Sequence, residues 1–189
     1  MNNFSKFLLA VILILGLSFG CKKTSTKKEI ETPLPKVTNE VIESFRSETW
    51  INAVWVSDTS VLNSVVKWQG KGDYPYVDNW ATAKVPNSFD VYGGLPGQSE
   101  YYTINKTIVN NDTVKVNYWK AQQVKALPTY GYRPMVGIYR FSDTLVVAIS
   151  KTLANKQYGD GGAWQIYIKN YKDKLSVKDT IYLKWLSLN

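Results

Sequence analysis

Apolar positions follow three patterns along the chain. An almost unbroken apolar run covers Phe7 to Phe19, with Lys6 before it and Ser18-Phe19-Gly20-Cys21 at its end. As a helix it would span roughly 20 Å, short of the roughly 30 Å hydrocarbon core of a bilayer. A basic residue, a short apolar stretch and a small residue at the end are the parts of a secretory signal over 1–20. Helical spacing comes next. Val41, Ile42 and Phe45 predict a helix over 39–48, capped by Thr38 or Asn39, and Val61, Leu62, Val65 and Val66 predict another over 60–68, capped by Asp58 or Thr59. A weaker third helix is expected over 113–126. From Met135 the chain turns to β-branched and aromatic residues. Met135–Phe141 and Leu145–Ser150, flanking Ser142-Asp143, predict a β-hairpin, and 163–168 and 180–186 predict further strands. Helices first and strands afterwards define an α+β fold, with N-terminal helices followed by an antiparallel sheet in a single domain, 37–189. No internal repeat is visible.

Composition narrows the chemistry. Of 189 residues, 44% are hydrophobic, enough for a sizeable core, and the chain holds no histidine and one cysteine. An intrachain disulfide, a Cys/His zinc site, a Ser-His-Asp triad and a Cys-His dyad are therefore excluded. The lone cysteine, Cys21, follows a small residue directly after the apolar run. This arrangement resembles the lipobox of bacterial lipoproteins, although Phe19 stands where the strict motif has a smaller residue. The resemblance implies lipidation of Cys21, anchoring in a membrane of the cell envelope (outer membrane or periplasmic side), and an extracytoplasmic domain. Two or more acyl chains hold such an anchor stably, at about 0.8 kcal/mol per buried CH₂. Residues 22–36, with five lysines, two glutamates, Pro33 and Pro35, form a polar tether.

The net charge of +8 falls to +4 from Val37 onward, with 17 basic and 13 acidic residues spread without long runs. Arg46, Arg133 and Arg140 are the only arginines. Nucleic acid is not expected as a partner, because binders of it concentrate basic residues on one face. Gly97-Gln98-Ser99-Glu100-Tyr101 lacks the last glycine of a nucleophile elbow, Asp160 sits in no calcium-loop spacing, and Asn105-Lys106-Thr107 is a bare sequon. No metal site and no resident cofactor are expected. Two glycine-rich segments stand out instead: Asp90-Val91-Tyr92-Gly93-Gly94-Leu95-Pro96-Gly97-Gln98-Ser99, and Gln157-Tyr158-Gly159-Asp160-Gly161-Gly162-Ala163-Trp164-Gln165, which runs into a strand. Glycines allow sharp bends or close approach of backbone to a ligand.

The order of these residues resembles the tuberculosis necrotizing toxin family, over about residues 87–168. That family pairs an early Asp-Arg-aromatic-Gly motif with a late glycine cluster ending in Gln. Asp90, Tyr92 and Gly93 match the first, and Gly161, Gly162 and Gln165 the second; Val91 replaces the arginine. The resemblance implies an ADP-ribosyltransferase-like fold and NAD glycohydrolase activity, with NAD as substrate. It makes Gln165 the catalytic residue and Asp90, Tyr92, Gly93, Gly161 and Gly162 contacts to the dinucleotide. Because Val91 offers no charge, Arg133 or Arg140 would have to meet the diphosphate, and Tyr92, Tyr130 or Tyr158 would stack on nicotinamide. Cleaving the nicotinamide–ribose bond passes through an oxocarbenium-like state that needs positioning and electrostatics more than a histidine base. The competing reading is a non-catalytic envelope module that binds a protein or sugar partner through aromatics such as those of the Trp68–Trp80 loop.

Overall fold

The computed structural model describes residues 39–94, 99–104, 115–129 and 131–184. All of them fall within one compact unit, Leu34–Asn189. The apolar run, Cys21 and the tether lie outside the described residues. Among those described, no helix is long and apolar enough to cross a membrane.

Among the described residues, three α-helices form where apolar residues line one stripe. Helix α1 (Asn39–Thr49) buries Val41, Ile42 and Phe45. Helix α2 (Thr59–Val65) buries Val61, Leu62 and Val65 and is capped by Asp58, whose carboxylate accepts from the Val61 N–H at 3.0 Å. It tightens into a 3-10 turn over Val66–Trp68. Helix α3 (Lys115–Ala121) ends short of the expected 126, in a Gln122-Gln123 turn where Gln123 takes a positive φ of 58°.

Eight strands form one antiparallel sheet: β1 (Val54–Trp55), β2 (Ala81–Val85), β3 (Val91–Gly93), β4 (Tyr101–Thr103), β5 (Met135–Phe141), β6 (Leu145–Lys151), β7 (Trp164–Tyr167) and β8 (Leu175–Tyr182). The spatial order is β1-β2-β6-β7-β4-β3-β5-β8. The fold is α+β, as the pattern predicts. Strands β1–β4, two to five residues each, are interleaved with the helices and too short for alternation to reveal them.

One expectation is corrected. The strands on either side of Ser142-Asp143 exist, but they are not a hairpin. Strand β5 pairs with β3 and β8, and β6 pairs with β2 and β7. Four strand spacings separate them along the sheet, roughly 19 Å if it were flat, while the chain from Phe141 to Leu145 reaches roughly 14 Å at most. The sheet must therefore curl. Phe141, Val147 and Leu145 pack in the same cluster inside that curl, and Asn87 holds the connection by donating to the Ser142 carbonyl at 3.0 Å. Hydrophobic burial inside the curl, not the local turn, sets the partners.

Alternation assigns the two faces. Ala81, Ala83, Val91, Tyr102, Tyr139, Val147, Ile149, Trp164 and Ile166 turn inward against α1, with the Phe45 and Trp164 rings edge-to-face at 5.3 Å. On the other face, Ala148 and Tyr167 pack under α2, and Tyr92 and Val136 pack under α3 with Tyr118 and Trp119. Between α2 and α3 this second face is polar yet buried: Thr103, Ser150 and Gln165 all lie there.

Candidate functional site

A cavity of about 380 Å³ opens in that polar gap, within the usual range for small-molecule sites. Gln165 lies in its floor, 7% exposed, on the side of β7 opposite Trp164 and Ile166. Gly93 and Gly94 form another part of the wall, at the end of β3. A Cβ on Gly93 would stand 2.8 Å from the Tyr102 ring, so a side chain there would displace it. The Tyr139 hydroxyl donates to the Gly94 carbonyl and pins this turn. Trp68, from the 3-10 turn after α2, and Trp119, from α3, bring apolar surface to the lining.

Beside Gln165 the lining also includes Asp78, a carboxyl that is 3% exposed. Its Oδ2 accepts from Gln165 Nε2 at 2.6 Å and from Gln69 Nε2 at 2.7 Å, and its Oδ1 accepts from the Leu153 N–H at 2.8 Å. Gln69 is held in turn, because its Oε1 accepts from the Asp78 N–H at 3.0 Å and from the Trp80 indole N–H at 2.9 Å. Burial pushes the Asp78 carboxyl above the usual carboxylate range, and the three donors only partly counter it. Asp78 carries no ion pair among the described residues.

Positive charge reaches the lining from Arg133 and Lys125. Lys125 is paired with Asp73 at 3.0 Å on the surface. Arg133 has no carboxylate partner among the described residues, and its Nε is buried without a hydrogen-bond acceptor among them. Its backbone carbonyl accepts from the Trp119 indole at 2.8 Å, which ties the arginine to α3.

Of the residues singled out from sequence, Gln165, Gly93 and Arg133 line this cavity, together with Trp68 and Ser99; Asp90, Arg140, Tyr92, Gly161, Gly162 and Tyr158 do not. Asp90 lies beside β5 and β8, where its carboxylate takes Arg140 at 2.8 Å and Lys178 at 2.7 Å. Arg140 is therefore occupied away from the cavity. Tyr92 alternates away from Gly93 and fills the core under α3, 5% exposed, while Val91 packs in the core on the α1 side. Gly161 and Gly162 serve the connection into β7. Gly161 has φ +68°, and a Cβ there would meet the Thr152 and Leu153 carbonyl oxygens at 2.5 Å; the Gly162 N–H donates to the Thr152 carbonyl at 2.8 Å. Tyr158 packs on Tyr74, ring centroids 5.3 Å apart, and it is Tyr74 that lines the cavity. Tyr130 and Cys21 lie outside the described residues. Among the described residues no group of three or more His, Cys, Asp or Glu side chains could hold a metal ion. Asp78 and Gln69 were not singled out from sequence. Two isolated polar residues in an aromatic loop carry no motif, and only the fold stacks them under a strand 87 positions away from Asp78.

The domain is of the polymorphic-toxin type. The family model described as "Rhs1 C-terminal toxin domain" matches residues 57–170, more than half of the chain, and the chain belongs to this family. The solved structure titled "Rhs1-CT in complex with cognate immunity protein RhsI1" is similar to it, with 28% identity, a TM-score of 0.61, and coverage of 67% of this chain and 98% of that one. A structure of Tse6 in complex with Tsi6 aligns over 72% of this chain and 90% of that one at 14% identity, with a TM-score of 0.39, too weak to carry an argument. No curated protein matches the chain.

Proposed function

We propose that this toxin-type domain is an NAD glycohydrolase, carried on a lipid anchor at Cys21 and facing outside the cytoplasm. The observation that carries the enzymatic reading is the convergence of the Gly93–Gly94 turn and Gln165 on one cavity. Bond cleavage with an oxocarbenium-like transition state needs a polar group at the ribose and a site dry enough to strengthen it. Gln165 supplies that group from a buried floor. Arg133 supplies what Val91 lacks, a guanidinium on the lining that has no carboxylate partner among the described residues and suits a diphosphate. A protein partner belongs to the same reading, since the similar Rhs1-CT structure is a complex with its immunity protein. A second reading, a non-catalytic interaction module, draws on Trp50, Val54 and Trp55, which are 91%, 56% and 44% exposed around β1.

The test is release of nicotinamide from NAD by the full chain purified in detergent. The wild type releases it, and Gln165→Ala lowers kcat by two orders of magnitude or more, about the effect of removing one oxyanion-hole-type group. A wild type that leaves NAD intact overturns the enzymatic reading and leaves the interaction module. Metabolic labelling with a fatty acid that Cys21→Ser abolishes supports the anchor; labelling that persists in that variant overturns it.

A further inference from the structure

The amide orientation of Gln69 is dictated by neighbours that can act in only one way, and the Asp78 carboxylate, when ionised, then sets that of Gln165. The Trp80 indole and the Asp78 backbone N–H are donors only, so the Gln69 atom facing both is Oε1. The other end of Gln69 is then Nε2, which donates to Asp78 Oδ2. That oxygen also meets the end of Gln165 2.6 Å away. An oxygen already accepting from Gln69 takes a second donor and repels a second acceptor, so Gln165 turns its Nε2 downward and its Oε1 away. Among the described residues no donor reaches Gln165 Oε1, nor is it one of the buried atoms left without a partner. It therefore belongs to the part of the residue that the cavity reaches.

We infer that Asp78, braced by Gln69 and Trp80, is a positioning residue that makes Gln165 present a hydrogen-bond acceptor, and not a donor, to the substrate. The inference rests on the proposed reaction for its catalytic consequence. An acceptor at this point accepts a hydrogen bond from a ribose hydroxyl or from the attacking water and lays partial negative charge beside a cationic sugar. A donor would oppose both. The Asp78 carboxylate adds to the effect, because an amide that donates to an anion becomes a better acceptor at its carbonyl. Asp78 also borders the cavity, but its Oδ2 is taken by two amides and its Oδ1 by the Leu153 N–H, so the role inferred here is exercised through the Gln165 amide.

Asp78→Asn tests this with little change of shape. Its own amide can turn a donor toward Gln165, freeing or flipping that side chain. In the full chain, Asp78→Asn lowers kcat on the order of 100-fold, the scale of a misplaced catalytic group, while KM for NAD stays within about twofold. The side-chain NH₂ resonance of Gln165, identified by its loss in Gln165→Ala, shifts and exchanges faster with water. A purely structural role would lower thermal stability without that split between kcat and KM. Unchanged kcat in Asp78→Asn overturns the inference. If the wild type leaves NAD intact, the reaction falls but the resonance still decides: unmoved by Asp78→Asn, it overturns the positioning role, and moved, it upholds that role. If Asp78→Asn does not fold, Gln69→Glu, which sets a second acceptor against Asp78 Oδ2, is judged by the same two readouts.

Discussion

Two aspartates in this domain meet opposite surroundings. Asp90, beside β5 and β8, is flanked by Arg140 and Lys178, both about half exposed. Partial burial raises its carboxyl, but hydrogen bonds and charge from the two cations outweigh that and hold it below the usual carboxylate range. Asp78, on the cavity lining, is more deeply buried, has only neutral donors and is pushed above that range. The arginines divide in the same way. Arg140 is spent on Asp90, whereas Arg133, on the cavity lining, has no carboxylate partner among the described residues. On the cavity lining Lys125 is paired with Asp73, and it is Arg133 that keeps its charge without a carboxylate partner among the described residues. That asymmetry is what a binding site needs, since a group already neutralised has little left for a ligand.

The contrast can be broken in three places. Asp78→Ala takes the acceptor from three donors at once, two of them side-chain amides aimed into the protein, and should cost about 3 kcal/mol of stability in chemical denaturation. A loss below about 1 kcal/mol would mean that the floor repacks around cavity water. Arg133→Ala should leave the fold intact and raise KM for NAD about tenfold, as expected for losing a charged hydrogen bond near 1.4 kcal/mol; an unchanged KM would remove Arg133 from the diphosphate. Asp90→Asn should cost less than about 1 kcal/mol at neutral pH, as exposed ion pairs usually do.

The pH dependence sharpens the same comparison. The lowered Asp90 value contributes stability that is present above the ordinary carboxylate range and is lost as pH falls through its folded value. Asp78 runs the other way: its contribution favours the fold at low pH and is lost as pH rises from the ordinary value through the raised one. Unfolding followed from acid to neutral pH should thus lose part of its acid limb in Asp90→Asn. An identical profile would show that Arg140 and Lys178 do not hold that carboxylate.

Local pattern carried much of this. Val41, Ile42 and Phe45, with Val61, Leu62 and Val65, mark two helices because a 3.6-residue period needs only neighbours in sequence to be seen. The aspartate cap of α2 and strands β5, β6 and β7 were legible for the same reason, as was the exclusion of histidine chemistry; Gly93 and Gln165 stood out by motif, and the fold sets both on one cavity. Strand partners were not. Ser142-Asp143 looks like a hairpin turn, yet what selects β3 and β8 for β5 is the curl that buries Phe141 and Leu145 together, a property of the whole sheet. The fate of Tyr92 and Asp90 was equally hidden, because one residue of strand register decides which face each side chain meets. Asp78 and Gln69 matter only through a contact that spans 87 positions. Sequence alone sets which chemistry this chain can supply, since that depends on the residue types present; which of those residues share a cavity depends on long-range burial, and that was decided only when the sheet curled.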